Sequence, residues 1–197
     1  MPSTRKSGAE SGYGLPASVL LGGEVFDIRT DFRVILEILE MMNDAELSDE
    51  EKNACALVMF YPGWRGIPDG KEALEACFRF IDMGEKSGKR SPRLLDWQQD
   101  FPRIIAPVNR VLGMEARAVP YDAERNTGGL HWWTFLGAYM EIGADCLIAQ
   151  IVRIRDKQAR GKPLDSAERA FVNRNRALVE LRRPCTEAED ELVKQWL

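Results

Sequence analysis

Apolar residues recur every three to four positions along most of the chain, the spacing that gives a helix one buried face. Over residues 31–43 the stripe Phe32, Ile35, Leu36, Leu39 and Met42 is joined by a second, Val34, Ile38 and Met41. A helix apolar over most of its circumference is covered on several sides. This first helix is therefore expected to be central or to meet another subunit, with Thr30 as its N-cap and Asp31 in the first turn. Ser48 and Glu51 form a capping box that opens a second helix at Asp49, running to Phe60 and carrying Cys55, Leu57 and Val58. Asp69 with Glu72 opens a third, reaching Lys86, with Leu74, Cys77, Phe78 and Ile81 on one face. A fourth occupies residues 95–112, with Trp97, Phe101, Ile104, Ile105 and Val108 at helical spacing. Pro102 and Pro107 fall inside it; each removes an amide donor and clashes with the preceding turn, which predicts a kink or break.

Gly113 ends that helix, and residues 114–128 read as a loop. The fifth helix begins near Leu130 and carries His131, Trp132, Trp133, Phe135, Leu136, Tyr139 and Met140 before Gly143 interrupts it. The sixth, over residues 145–159, turns Leu147, Ile148, Ile151 and Ile154 inward and Arg153, Arg155 and Lys157 outward. Asp165 with Glu168 opens a seventh, to Leu181, and Thr186 with Glu189 opens a terminal one ending at Leu197. The single strand signal is Gly22-Gly23 between two short apolar runs, a β-hairpin. The expected fold is mainly all-α: a helical bundle of about seven to eight helices with a short N-terminal β-hairpin. Residues 1–15, rich in Ser and Gly, read as a disordered tail, 16–183 as a single helical domain, and 184–197 as a C-terminal helix or appendage. Residues 84–92 form a basic loop.

Composition changes this picture little: 45% hydrophobic and 29% charged residues are ordinary for a globular chain. The net charge of −4 speaks against a dedicated nucleic-acid binder, whose affinity comes from clustered Lys and Arg. The total hides an asymmetry. Residues 31–51 hold eight acids and one base, residues 153–183 ten bases and four acids. Such runs usually face water; the sharper reading is head-to-tail self-association, or docking of an acidic partner on the basic end. Cys55, Cys77, Cys146 and Cys185 form no C-x-x-C pair, and their spacing fits neither a zinc site nor a secreted disulfide framework, which implies a reducing compartment. No apolar run approaches the ~20 residues that span a bilayer.

Candidate chemistry is sparse. Gly70-Lys71 and Gly88-Lys89 lack the earlier glycine of a phosphate loop, Arg65 and Met83 standing there, and Glu72 and Arg90 replace its hydroxyl residue. His131 is the sole histidine, beside two tryptophans at a helix start, and reads as a packed, hydrogen-bonded side chain rather than a general base. The acids Asp49, Glu50, Glu51, Glu187 and Glu189 complement helix N-termini. No catalytic residue, metal ligand or cofactor site is assigned, and a non-enzymatic protein is expected. The aromatic stretch Trp132, Trp133, Phe135, Tyr139 reads either as core or as a partner-binding groove, since aromatics anchor interfaces.

The segments Thr30-Asp-Phe-Arg33, Leu47-Ser-Asp-Glu-Glu-Lys52, Asp96-Trp-Gln-Gln-Asp100, Leu130-His-Trp-Trp-Thr-Phe135 and Ile151-Val-Arg-Ile-Arg155, in this order, resemble the bacteriophage gp-fifteen family of tailed phages and prophages over residues 16–181. The N-terminal tail, the stretch after Pro184 and the long 114–129 loop depart from its pattern. The resemblance implies a tail assembly chaperone that binds the hydrophobic tape-measure protein, keeps it soluble and helps tail-tube protein polymerise around it. It implies action in the host cytoplasm, absence from the mature virion and no catalytic residues. A partner-binding groove is then expected around Trp132, Trp133, Leu136 and Tyr139, with Arg153 and Arg155 on a basic face that aligns neighbouring copies in a homo-oligomer. The alternatives are a structural tail or head–tail connector protein, an enzyme with an unrecognised site, and a DNA-binding regulator.

Overall fold

Capping chemistry sets the helix starts. In the computed structural model, which describes residues 14–84 and 92–181, Ser48 Oγ accepts the Glu51 amide while the Glu51 carboxylate accepts the Ser48 amide. Two orphan donors are thereby satisfied reciprocally. Asp165 and Glu168 repeat the device. Asp69 caps through the amides of Lys71 and Glu72, but Glu72 closes no box there: its carboxylate accepts the Gly22 amide at 3.1 Å. The described residues are mainly helical, with a short antiparallel hairpin near the N-terminus. The expected tail up to residue 13, most of the basic loop and the expected terminal helix lie outside the described residues. The chain divides into two units, Met1–Ser87 with Arg117–Leu136, and Gly88–Ala116 with Gly137–Leu197.

In the first unit β1 (Ser18–Leu21) pairs antiparallel with β2 (Glu24–Asp27). Gly22 and Gly23 both have positive φ, 57° and 88°, as the twist-matched two-residue hairpin turn requires. Then come α1 (Phe32–Met42), α2 (Asp49–Phe60) and α3 (Gly70–Ile81). The cap of α1 is Asp31, not Thr30, whose carbonyl is taken by the Trp132 amide. Phe32, Val34, Ile35 and Ile38 of α1 are buried, while Leu36, Leu39, Met41 and Met42 are half-buried. The expected α3 face holds at Cys77 and Ile81, which are buried, but not at Leu74 and Phe78. Ala56 and Phe60 are buried where Val58 is exposed, and Ala73, Ala76 and Phe80 are buried where Leu74 and Phe78 are only partly covered. The small alanines carry little hydrophobic signal in the sequence. The stretch read as a loop holds a second small hairpin, β3 (Tyr121–Asp122) with β4 (Thr127–Gly128). Strands of two residues show no alternation to read.

Helix α5 (Trp132–Met140) contributes its first turns to the core of the first unit. Phe135 stacks on Phe32 at 4.6 Å and on Trp132 at 5.9 Å, and Phe80 meets Phe60 at 5.3 Å and Trp133 at 5.7 Å. Such ring pairs add about 0.5–1.5 kcal/mol each beyond burial.

The second unit contains α4 (Trp97–Leu112), the end of α5, α6 (Leu147–Ala159), α7 (Ser166–Arg174) and α8 (Arg176–Val179). The expected break in α4 is absent: the helix continues through Pro102 and Pro107 to its left-handed Gly113 cap. Pro102 lies on the exposed side, where water can take the carbonyl left without a donor. The expected seventh helix is instead two. Asn175 adopts a non-helical backbone and donates its side-chain amide to Phe171 O, the local competition with helix that asparagine favours.

Candidate functional site: two acid–arginine clasps and an open groove

Asp31 is 2% exposed. Its Oδ1 accepts the Arg33 amide at 3.0 Å and Arg33 Nε at 2.7 Å; its Oδ2 accepts Arg33 Nη2 and the Leu130 amide, both at 2.9 Å. The main chains pair alongside, Phe32 N–H donating to Leu130 O and Trp132 N–H to Thr30 O. Arg33 also donates to Val119 O and lies over the rings of Phe32 and Tyr121. Glycine is required where this carboxylate meets the chain. Gly129 has φ +82°, and a Cβ on it would stand 2.3 Å from Asp31 Oδ2. Segments 99 residues apart are thus pinned by one side chain.

His131 belongs to the same clasp. The Trp133 amide donates to its Nδ1 at 3.1 Å, so Nδ1 carries no proton, and Nε2–H donates to Pro16 O at 2.9 Å. Burial holds its pKa below the ordinary 6.5, only partly opposed by the bond to Pro16. The imidazole caps α5 and is the packed residue the sequence suggested. Trp132 and Trp133 donate their indole N–H groups to Ile81 O and Phe80 O.

The second clasp joins Asp100 and Arg155, 1% and 4% exposed. Arg155 Nη1 and Nη2 meet the two carboxylate oxygens at 2.6 and 3.1 Å, and its remaining donors reach the carbonyls of Leu94, Leu178 and Val179. Asp100 also accepts the Asp96 amide, and Asp96 caps α4 through the Gln99 amide. Arg155 was expected outward with Arg153 and Lys157; the structure corrects this. At 100° per residue it lies two positions from either, across the helix, in one row with Ile148 and Ile151. Lys157 faces out and grips the Glu168 carboxylate at 2.6 and 2.7 Å, which is the leading cause of that carboxyl's lowered pKa.

An open groove of about 520 Å³ lies in the second unit. Its wall on α6 is the row Ile148, Ala149, Val152, Arg153 and Asp156, continued by Arg160 just past the helix end; Leu94, Tyr139, Met140 and Ile142 complete it. Met140 is 63% exposed. The surface is mostly apolar, rimmed by two arginines and an aspartate, with Arg160 paired to Asp156 at 2.6 Å.

The six expected partner residues separate accordingly. Tyr139 and Arg153 line the groove. Arg155 is the buried half of the second clasp, Trp132 is 1% exposed, and Trp133 and Leu136 are half-buried in the first unit. Met140, Ile142, Ile148 and Val152 were missed as groove residues; the i, i+4 pair Ile148/Val152 followed by charged Arg153 and Asp156 was the available signal. Among the described residues no three His, Cys, Asp or Glu side chains gather as a metal site, and no helix is long and apolar enough to cross a membrane. Cys77 is buried and its thiol is pushed up to about 12.

The model of the bacteriophage Gp15 protein family matches residues 14–101, less than half of the chain. Over that stretch the family resemblance holds. The match includes Asp31, Arg33 and Asp100, and it ends before the Leu130–Phe135 and Ile151–Arg155 segments that bring their partners. No curated protein and no solved structure matches the chain.

Proposed function

We propose that this bacteriophage protein is a non-enzymatic tail assembly chaperone that holds an apolar helical stretch of the tape-measure protein in the groove walled by α6. The observation that carries the reading is that groove: Tyr139, Met140, Ile142 and Val152 offer an apolar trough, over the buried Ile148, suited to one face of an amphipathic helix. The family match supplies the phage context. The buried ionisable groups Asp31, Asp100 and Arg155 are all engaged in clasps, which suits a binding role. Many weak contacts along one long ligand add up when several copies bind it. The protein then acts in the host cytoplasm and leaves before the virion is complete, with the tail-tube protein as the subunit that replaces it.

Co-expression with the tape-measure protein of the same genome tests this. The expected result is a tape measure that is soluble only in the presence of this chain and co-purifies with several copies of it; a tape measure that stays insoluble and uncaptured sinks the reading. A second reading, a structural tail or head–tail connector protein retained in the particle, draws on the exposed hairpin side chains Leu20 and Val25, which suit a lasting subunit contact. Mass spectrometry of purified particles separates the two, since a chaperone is missing from them.

A further inference from the structure

The hairpin presents an apolar face to solvent. Leu20 and Val25 are directly opposed in the β1–β2 register and are 66% and 54% exposed. Ser18 and Asp27 are the next pair on that face, because side chains two apart along a strand point the same way. Leu21, on the other face, is fully buried and fixes which side looks outward. A two-stranded ribbon with an apolar outer pair is a surface that associates.

We propose that the occupant is a second copy of this chain: the Leu20/Val25 face of one copy docks into the α6 groove of the next. Charge selects this pairing. Asp27 shares the hairpin face, so two hairpin faces meeting about a two-fold axis set like charges together. The groove instead offers Arg153 on its rim, which is 58% exposed in its side chain and approaches Glu168 at 4.0 Å. Apolar meets apolar and Asp27 meets Arg153. The contact is heterologous: each copy lends its hairpin to one neighbour and its groove to another, giving rings or chains. A surface this small makes a weak, concentration-dependent contact, which a tape-measure helix entering the same groove displaces. The inference shares the groove with the proposed function but requires no tape measure.

The test is sedimentation velocity of the full chain from about 1 to about 100 μM, with circular dichroism confirming that each variant folds. The wild type self-associates across this range. Leu20→Asp and Met140→Asp, both at exposed positions, each weaken association at least about tenfold. Asp27→Arg and Arg153→Glu each weaken it about three- to tenfold, and the double variant returns to within about threefold of wild type. A chain monomeric throughout, association indifferent to either Leu20→Asp or Met140→Asp, or a double variant no better than the singles overturns the proposal. Tape-measure capture keeps the two readings apart: Leu20→Asp retains it and Met140→Asp loses it. Failed capture by the wild type, with its self-association intact, condemns the chaperone reading alone.

Discussion

Asp31 and Asp100 are both buried carboxylates gripping an arginine, yet the two clasps are built differently. Asp31 takes the arginine two residues along the chain, whose side chain remains 33% exposed, and its long-range bond is to the Leu130 amide. Asp100 takes an arginine 55 residues away, and both side chains are excluded from water. In the first clasp the charge pair is a local screen over backbone pairing and aromatic packing. In the second the pair itself holds α4 to α6, while Arg155 gathers the carbonyls at the end of α8. Equal chemistry therefore carries unequal weight: removing one partner of a buried pair strands a charge, whereas a half-exposed arginine leaves a carboxylate that still has backbone donors.

The largest effect is expected at the second clasp. Arg155→Ala leaves the Asp100 carboxylate buried beside unpaired carbonyls and costs about 3–5 kcal/mol in urea denaturation. A smaller loss there would make the two clasps equivalent. Gly129→Ala comes next, at about 2–3 kcal/mol, because its positive φ and the contact with Asp31 Oδ2 both oppose a side chain. Arg33→Ala costs about 1 kcal/mol, since Asp31 keeps the amides of Arg33 and Leu130.

The mildest effect separates the two units by pH. The unfolded chain binds a proton at His131 near 6.5, and the folded one only at lower pH. The stability from its neutral form is complete above 6.5 and is lost as pH falls through the folded value. Asp165 and Glu168 in the second unit have lowered pKa values. Their contribution is present above the ordinary carboxylate range and disappears only below it. Acid titration followed by amide exchange should loosen the start of α5 first and the start of α7 at lower pH. Loosening in the reverse order would contradict the assignment of His131 as an α5 cap.

Local chemistry was legible in the sequence: the boxes at Ser48/Glu51 and Asp165/Glu168, the Gly22-Gly23 turn and the Gly113 stop each involve neighbours in the chain. What joins distant segments was not. Nothing around Asp31 announces Leu130, and nothing around Asp100 announces Arg155, although both pairs fall within the segments that carried the family resemblance. Arg155 is concealed for another reason: its charge signals exposure, while the helical angle places it with Ile148 and Ile151. The aromatic richness of α5 drew attention to Trp132 and Trp133, whose rings are spent mainly on the core. The groove joins Tyr139 and Met140 at the end of α5, Ile142 after it, Leu94 before α4 and one row of α6, positions that only packing brings together.

The proposed hold of the α6 groove on the tape-measure protein can be read at single positions. Its most direct test is a photo-crosslinking residue placed at Met140, inside the groove, or at Val111, 42% exposed on α4 and absent from the groove lining, during co-expression with the tape measure. A crosslinked tape-measure adduct is expected from position 140 and little or none from position 111. Adducts from position 111 alone, or equal yields from both, would contradict it.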